Sequence, residues 1–122
     1  MANSAVRFLG YVSDEQVAEL MGRARGFVCA AEEDFGIAVV EAQAAGCPVI
    51  AYRAGGALET VLDGETGIFF DEQTVESLAD AAQRFERIPS TNFIPANLVR
   101  HARKFNREYF LRKFKEFVRF QE

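Results

Sequence analysis

Three short apolar runs, Phe27-Val28-Cys29-Ala30, Pro48-Val49-Ile50-Ala51-Tyr52 and Ile68-Phe69-Phe70, are separated by segments with helical spacing. Side chains alternate across a strand, so a strand that is apolar at nearly every position must be covered on both faces. Covered strands alternating with helices specify a parallel sheet between two helical layers. A fourth run, Val6-Arg7-Phe8-Leu9, is β-prone and ends at Gly10. The expected fold class is α/β: a Rossmann-like parallel sheet of about four strands flanked by helices.

The helices are marked by their ends. Ser13 and Gln16 form a capping box ahead of Val17, Leu20, Met21 and Ala24, and Gly26 closes that helix. Residues 37–45 form a long apolar helix stopped by Gly46, and residues 58–62 a short helical turn. Gly64 and Gly67 read as turn residues. Thr74 caps a helix running to about Glu86, with Val75, Leu78, Ala79 and Ala82 inward. Pro89 and Pro95 break the chain before a helical tail over residues 96–120, split near Asn106. With 122 residues and no internal repeat, residues 1–122 are expected to be a single domain.

Charge is unevenly distributed. The net charge is −4, yet residues 100–122 hold eight Lys/Arg against three acids, whereas residues 1–99 hold six against fifteen. So acidic a body would repel phosphates, which argues against nucleic acid as a partner. No apolar run approaches the roughly 20 residues of a membrane span, and the first residues carry no signal-peptide pattern. Cys29 and Cys47 lack metal-ligand spacing and read as thiols of a reducing compartment, so a cytoplasmic location is expected. The tail interleaves Phe105, Tyr109, Phe110, Phe114 and Phe117 with basic residues. Such a helix packs on the body, or else makes a peripheral contact with an anionic membrane. His101 is the single histidine and, among arginines, is expected to be exposed. No Ser–His–Asp or Cys–His pairing is available for nucleophilic catalysis.

Ligands of open α/β sheets bind at the carboxyl ends of the strands, where residues 31–36 lie. Backbone N–H groups of Gly36, Ile37 and Ala38 would face such a ligand from the start of the following helix. Glu32, Glu33 and Asp34 beside them either compensate the charge of the helix N-terminus, or Glu33 accepts hydrogen bonds from ligand hydroxyls. Glu41 is the only charge between Gly36 and Gly46, and its neighbours three and four residues away are Ile37, Ala38, Ala44 and Ala45. A carboxylate on so apolar a helix must either find a partner in the core or line a cleft. It sits roughly 7–8 Å along the helix axis from Gly36.

The segment Glu33-Asp34-Phe35-Gly36-Ile37-Ala38-Val39-Val40-Glu41-Ala42 resembles the E-x7-E motif of the retaining GT-B glycosyltransferases, family 4. The resemblance continues through Gly46-Cys47-Pro48-Val49, Gly55-Gly56-Ala57-Leu58-Glu59 and Asp63-Gly64-Glu65-Thr66-Gly67, and covers roughly residues 6–120. It implies the C-terminal, nucleotide-sugar-binding half of such an enzyme. Glu33 would be the catalytic residue contacting the transferred sugar, and Glu41 would hold the nucleotide ribose. The donor site so implied comprises Glu33, Asp34, Phe35, Gly36, Ile37 and Glu41, with the backbone at Phe35, Gly36 and Ile37 on the sugar and diphosphate. Asp34 stands where many members have glycine. The version of the loop in residues 31–36 is most similar to bacterial mannosyltransferases of polysaccharide assembly, which points to GDP-mannose. Neither a metal nor another cofactor is implied.

The same resemblance implies that the acceptor-binding domain and the first two strands of the donor domain, with the basic residues that grip the diphosphate, lie outside this chain. Isolated, the chain is then expected to be inactive, because stabilising the leaving group supplies much of the catalysis. The strand at 6–9 would either close up beside the strand at 27–30 or leave an edge that pairs two copies into a homodimer. The expected function is donor binding in hexose transfer, possible mannose transfer included, to a hydroxyl acceptor with retention. A non-catalytic nucleotide-binding or assembly module is the alternative. A dinucleotide-binding oxidoreductase is disfavoured, since no G-x-G-x-x-G follows the first strand.

Overall fold

The computed structural model describes residues 6–121. Three parallel strands, β1 (Phe27–Cys29), β2 (Val49–Tyr52) and β3 (Gly67–Phe70), lie in sequence order, with Phe27 opposite Val49 and Ala51 opposite Phe69. Around them run α1 (Asp14–Arg23), α2 (Ile37–Ala44), α3 (Ala57–Thr60), α4 (Val75–Arg87), α5 (Pro95–Ala102) and α6 (Arg107–Gln121). The α/β class with a helix-flanked parallel sheet is as expected, but the fourth strand is not formed. Residues 6–9 are not in a strand, and Phe8 and Tyr11 are 85% and 95% exposed. β-propensity becomes a strand only where a neighbour takes its hydrogen bonds, and the outer edge of β1 does not pair with this run.

The period-2 alternation of the strands splits the core into two layers. Val49, Ala51 and Phe69 join Met21, Val39, Ala42 and Val61 on one face. Ile50, Ile68 and Phe70 join Ala81, Phe93 and Leu98 on the other. Burial on both faces explains why β2 and β3 read as continuous apolar runs; β1 departs from that expectation, since Val28 is 48% exposed on its outer face. Gly67 is the first residue of β3 rather than part of a turn: a Cβ there would lie 2.3 Å from the Val49 carbonyl oxygen.

Caps define the helices as their sequences specify. The Ser13–Gln16 box is complete in both directions, and the Thr74 side chain accepts from the Ser77 N–H. The inward face of α4 differs from expectation. Ala81 is buried and Leu78 and Phe85 pack beside it, whereas Val75 is 80% exposed. Val75 is the first residue of α4 and faces solvent there. Pro95 starts α5 instead of breaking the chain, as suits its fixed φ and missing N–H. The tail is split near Asn106, whose side chain accepts from the Tyr109 N–H and so starts α6. Among the described residues, no helix is long and apolar enough to cross a membrane.

Candidate functional site

The loop after β1 turns sharply into α2 at Gly36, which adopts the left-handed conformation (φ 65°). No side chain caps α2, so the acids at 32–34 do not occupy its open N–H groups. Two glycines between β2 and α3, Gly55 and Gly56, form the wall behind this loop. The Gly56 N–H donates to the Glu33 carbonyl at 2.6 Å, and a Cβ on Gly56 would fall 2.3 Å from the Phe35 carbonyl carbon. Gly55 (φ 63°) is as tight, its Cβ position lying 2.4 Å from the Glu33 carbonyl oxygen. The signal for this contact was the glycine pair following β2, but its partner is nonlocal.

Glu33 is half-buried, and its Oε1 accepts from the Cys29 thiol at 3.1 Å. Burial first, and then the hydrogen bond to Glu33 and its charge, push the Cys29 thiol up to about 11. The thiol therefore stays protonated at neutral pH and acts as a donor that orients one carboxylate oxygen. Gln73, from the segment after β3, donates to the Ala30 carbonyl at 2.9 Å and ties down the start of the loop. Glu32 and Asp34 are exposed, and Phe35 is half-buried.

Glu41 points away from the core. It is exposed on α2 and borders two depressions. One, of about 460 Å³, lies between α1 and α2 and is lined by Asp14, Val17, Met21 and Ala45. The other, of about 640 Å³, lies between α2 and the α5–α6 junction and is lined by Ile37, Val40, Arg103, Phe105 and Phe110. Of the two alternatives for this carboxylate, the structure has the cleft rather than a buried partner. Among the described residues, no group of three or more His, Cys, Asp or Glu is placed to hold a metal ion.

His101 of the tail is placed differently from its sequence reading. His101 is buried, 7% exposed, with Nε2 2.9 Å from the Thr60 carbonyl oxygen and its ring edge-on to Phe105. The inward face of α5 brings Leu98, His101 and Ala102 together, and the end of α3 offers the imidazole an acceptor. Glu59 of α3 accepts from the Tyr109 hydroxyl and from Lys113 of α6. The side chain of Phe117, the last of the expected aromatic stripe, lies outside the described residues.

The sequence profile described as glycosyl transferases group 1 matches residues 1–105. A D-inositol 3-phosphate glycosyltransferase of Corynebacterium urealyticum is 33% identical over 80% of this chain and 24% of its own. A GDP-mannose-dependent alpha-(1-6)-phosphatidylinositol monomannoside mannosyltransferase of Mycolicibacterium smegmatis is 51% identical over 40% of this chain and 13% of its own. Among solved structures, sucrose-phosphate synthase from Thermosynechococcus elongatus superposes with a TM-score of 0.75 at 31% identity, covering 93% of this chain and 29% of that one. Anabaena HepE, solved with UDP and glucose, superposes with a TM-score of 0.58, also at 31% identity, over 70% of this chain and 24% of its own. The matches thus span between 13% and 29% of the length of these relatives. Its motifs, its helix-flanked parallel sheet and these likenesses agree: the chain belongs to the glycosyl transferases group 1 family, of GT-B type.

Proposed function

We propose that the chain binds the nucleotide-sugar donor of a retaining hexosyltransferase, and that Glu33 and Glu41 divide the ligand between them. The supporting observation is the uncapped start of α2, flanked by a thiol-oriented carboxylate at its mouth and by an exposed carboxylate one and a half turns along. The open N–H groups suit the diphosphate, Glu33 the hydroxyls of the hexose and Glu41 those of the ribose. Transfer breaks the bond between the anomeric carbon and the diphosphate, releases the nucleoside diphosphate and joins the hexose to the acceptor oxygen with its configuration kept. HepE was solved with UDP and glucose, and a mannosyltransferase relative is named for GDP-mannose. Mannose is the hexose we favour, given the loop sequence at 31–36.

Calorimetric titration with GDP-mannose and UDP-glucose tests this reading. Glu41→Ala should weaken the preferred donor about tenfold or more, as expected for loss of a charge-assisted hydrogen bond, with an unchanged melting temperature. Equal binding by both proteins would refute the assignment. By itself a chain that spans about a quarter of the length of such relatives should transfer no sugar, and an assay of hexose transfer checks this.

A second reading, an assembly module, is favoured by one observation. Among the described residues the outer edge of β1 pairs with no strand, and Val6, Phe8 and Leu9 are exposed. Light scattering should give a homodimer under that reading and a monomer under the first. Leu111, Phe114 and Val118 are exposed on the basic α6, so a peripheral membrane contact is proposed as well. Co-sedimentation with phosphatidylserine vesicles that neutral vesicles do not match would support it.

A further inference from the structure

The loop at 33–36 and the terminal helix α6 meet at a third element, α3. At four residues it is too short to hold its own shape, and each part of it is fixed from outside. Gly56, just before it, donates to the Glu33 carbonyl. The carbonyl of Thr60, its last residue, takes the His101 imidazole of α5. Glu59 between them accepts from α6 on both oxygens: the Tyr109 hydroxyl at 2.5 Å on Oε2, and Lys113 Nζ at 3.1 Å on Oε1 and 3.0 Å on Oε2. The Tyr109 ring is buttressed by Phe105 and faced by Arg112 and Lys113.

A second contact joins the same two regions without α3. Phe114 of α6 meets the Phe35 ring, 6.5 Å between centroids at 49°. One helix therefore reaches one loop by two routes, through Glu59 and Gly56 to the backbone of Glu33, and directly to Phe35. A four-residue helix has little dipole for an acid to compensate, so first-turn charge does not account for Glu59. Its partners lie 50 and 54 residues away along the chain. Exposed ion pairs of this kind add little stability, but they do fix geometry.

We propose that Glu59 is a positioning residue, holding α6 against α3 so that the loop at 33–36 keeps the arrangement that meets the ligand. This rests on the donor-site reading of that loop. Glu59 itself need not touch the donor.

Isotope-labelled full-length chain, wild type and Glu59→Ala, would be compared by amide chemical shifts and hydrogen exchange. Nucleotide-sugar affinity would be titrated beside them. Loss of Glu59 should move the amides of residues 33–36, speed their exchange and weaken GDP-mannose or UDP-glucose binding about tenfold. The denaturation midpoint should scarcely change. Glu59→Gln keeps an acceptor for Tyr109 and should recover part of the affinity. Phe114→Ala should cost less in the Glu59→Ala background than in wild type, because both act on one contact system. If Glu59→Ala folds poorly, Tyr109→Phe gives the same readout more mildly. Amide changes confined to α3 and α6, or an affinity loss that merely follows lost stability, would overturn the proposal. Loop amides that respond to Glu59→Ala in a chain binding no nucleotide sugar would support the coupling and overturn the donor reading alone.

Discussion

The loop at 33–36 and the terminal helix press on the same short helix, yet they are held there by opposite means. The loop is fitted backbone to backbone, with Gly55 and Gly56 so close to Glu33 and Phe35 that no side chain could intervene. The terminal helix is held by side-chain tips, Tyr109 and Lys113 on Glu59 and Phe114 on Phe35, with Glu59 itself half-exposed at 52%. A backbone fit is present or absent, because a single methyl group destroys it. A grip by side-chain tips is graded, since each contact can loosen while the others hold. The molecule thus has a rigid wall behind the candidate site and an adjustable support beside it.

Substitutions on the two sides should differ in size accordingly. The largest effect is expected from Gly56→Ala, whose new Cβ meets backbone that cannot move aside. A loss of about 3 kcal/mol or more is predicted from urea unfolding, and a wild-type midpoint would break the comparison at its rigid end.

A smaller effect follows from the thiol on the loop. A raised pKa means that Cys29 reacts with iodoacetamide mainly as the pH approaches about 11. Glu33→Gln removes the negative charge that favours the protonated thiol, so the pH–rate profile should move to lower pH, though burial keeps it above an ordinary thiol. Alkylation near pH 8 should then quicken severalfold. An unchanged profile would mean that the carboxylate does not reach the sulfur.

The smallest effect belongs to the terminal helix. Its bonds to Tyr109 and Lys113 hold the Glu59 carboxyl below the usual range. A depressed pKa contributes stability above the unfolded value that is lost as the pH falls through the folded one. Acidification should therefore release α6 first, seen as faster hydrogen exchange there, at a cost of no more than about 1 kcal/mol. Simultaneous acid unfolding of α6 and the sheet would contradict the graded grip.

What the sequence made legible is what local physics decides. The Ser13 and Thr74 caps, the Asn106 break and the three parallel strands are set within a few residues and are found in the fold, although only β2 and β3 are covered on both faces. The features it hid depend on partners far along the chain. Val6-Arg7-Phe8-Leu9 has the composition of a strand but no neighbour to pair with. His101 is buried because the Thr60 carbonyl, 41 residues earlier, faces it. The candidate site shows both cases. The isolation of Glu41 on an apolar helix was visible and its cleft-side position followed. The thiol under Glu33 and the glycine wall behind it were not visible, since each needs the loop folded against another element.

The central claim is that a nucleotide sugar seats on the start of α2 between Glu33 and Glu41. Amide mapping of the labelled chain during titration with GDP-mannose and UDP-glucose tests it most directly. The account predicts saturable shifts centred on Gly36, Ile37 and Ala38, extending to Glu41 and displaced to about tenfold higher donor concentration by Glu41→Ala. Saturable shifts elsewhere with these amides unmoved, or no shift with either donor, would contradict it.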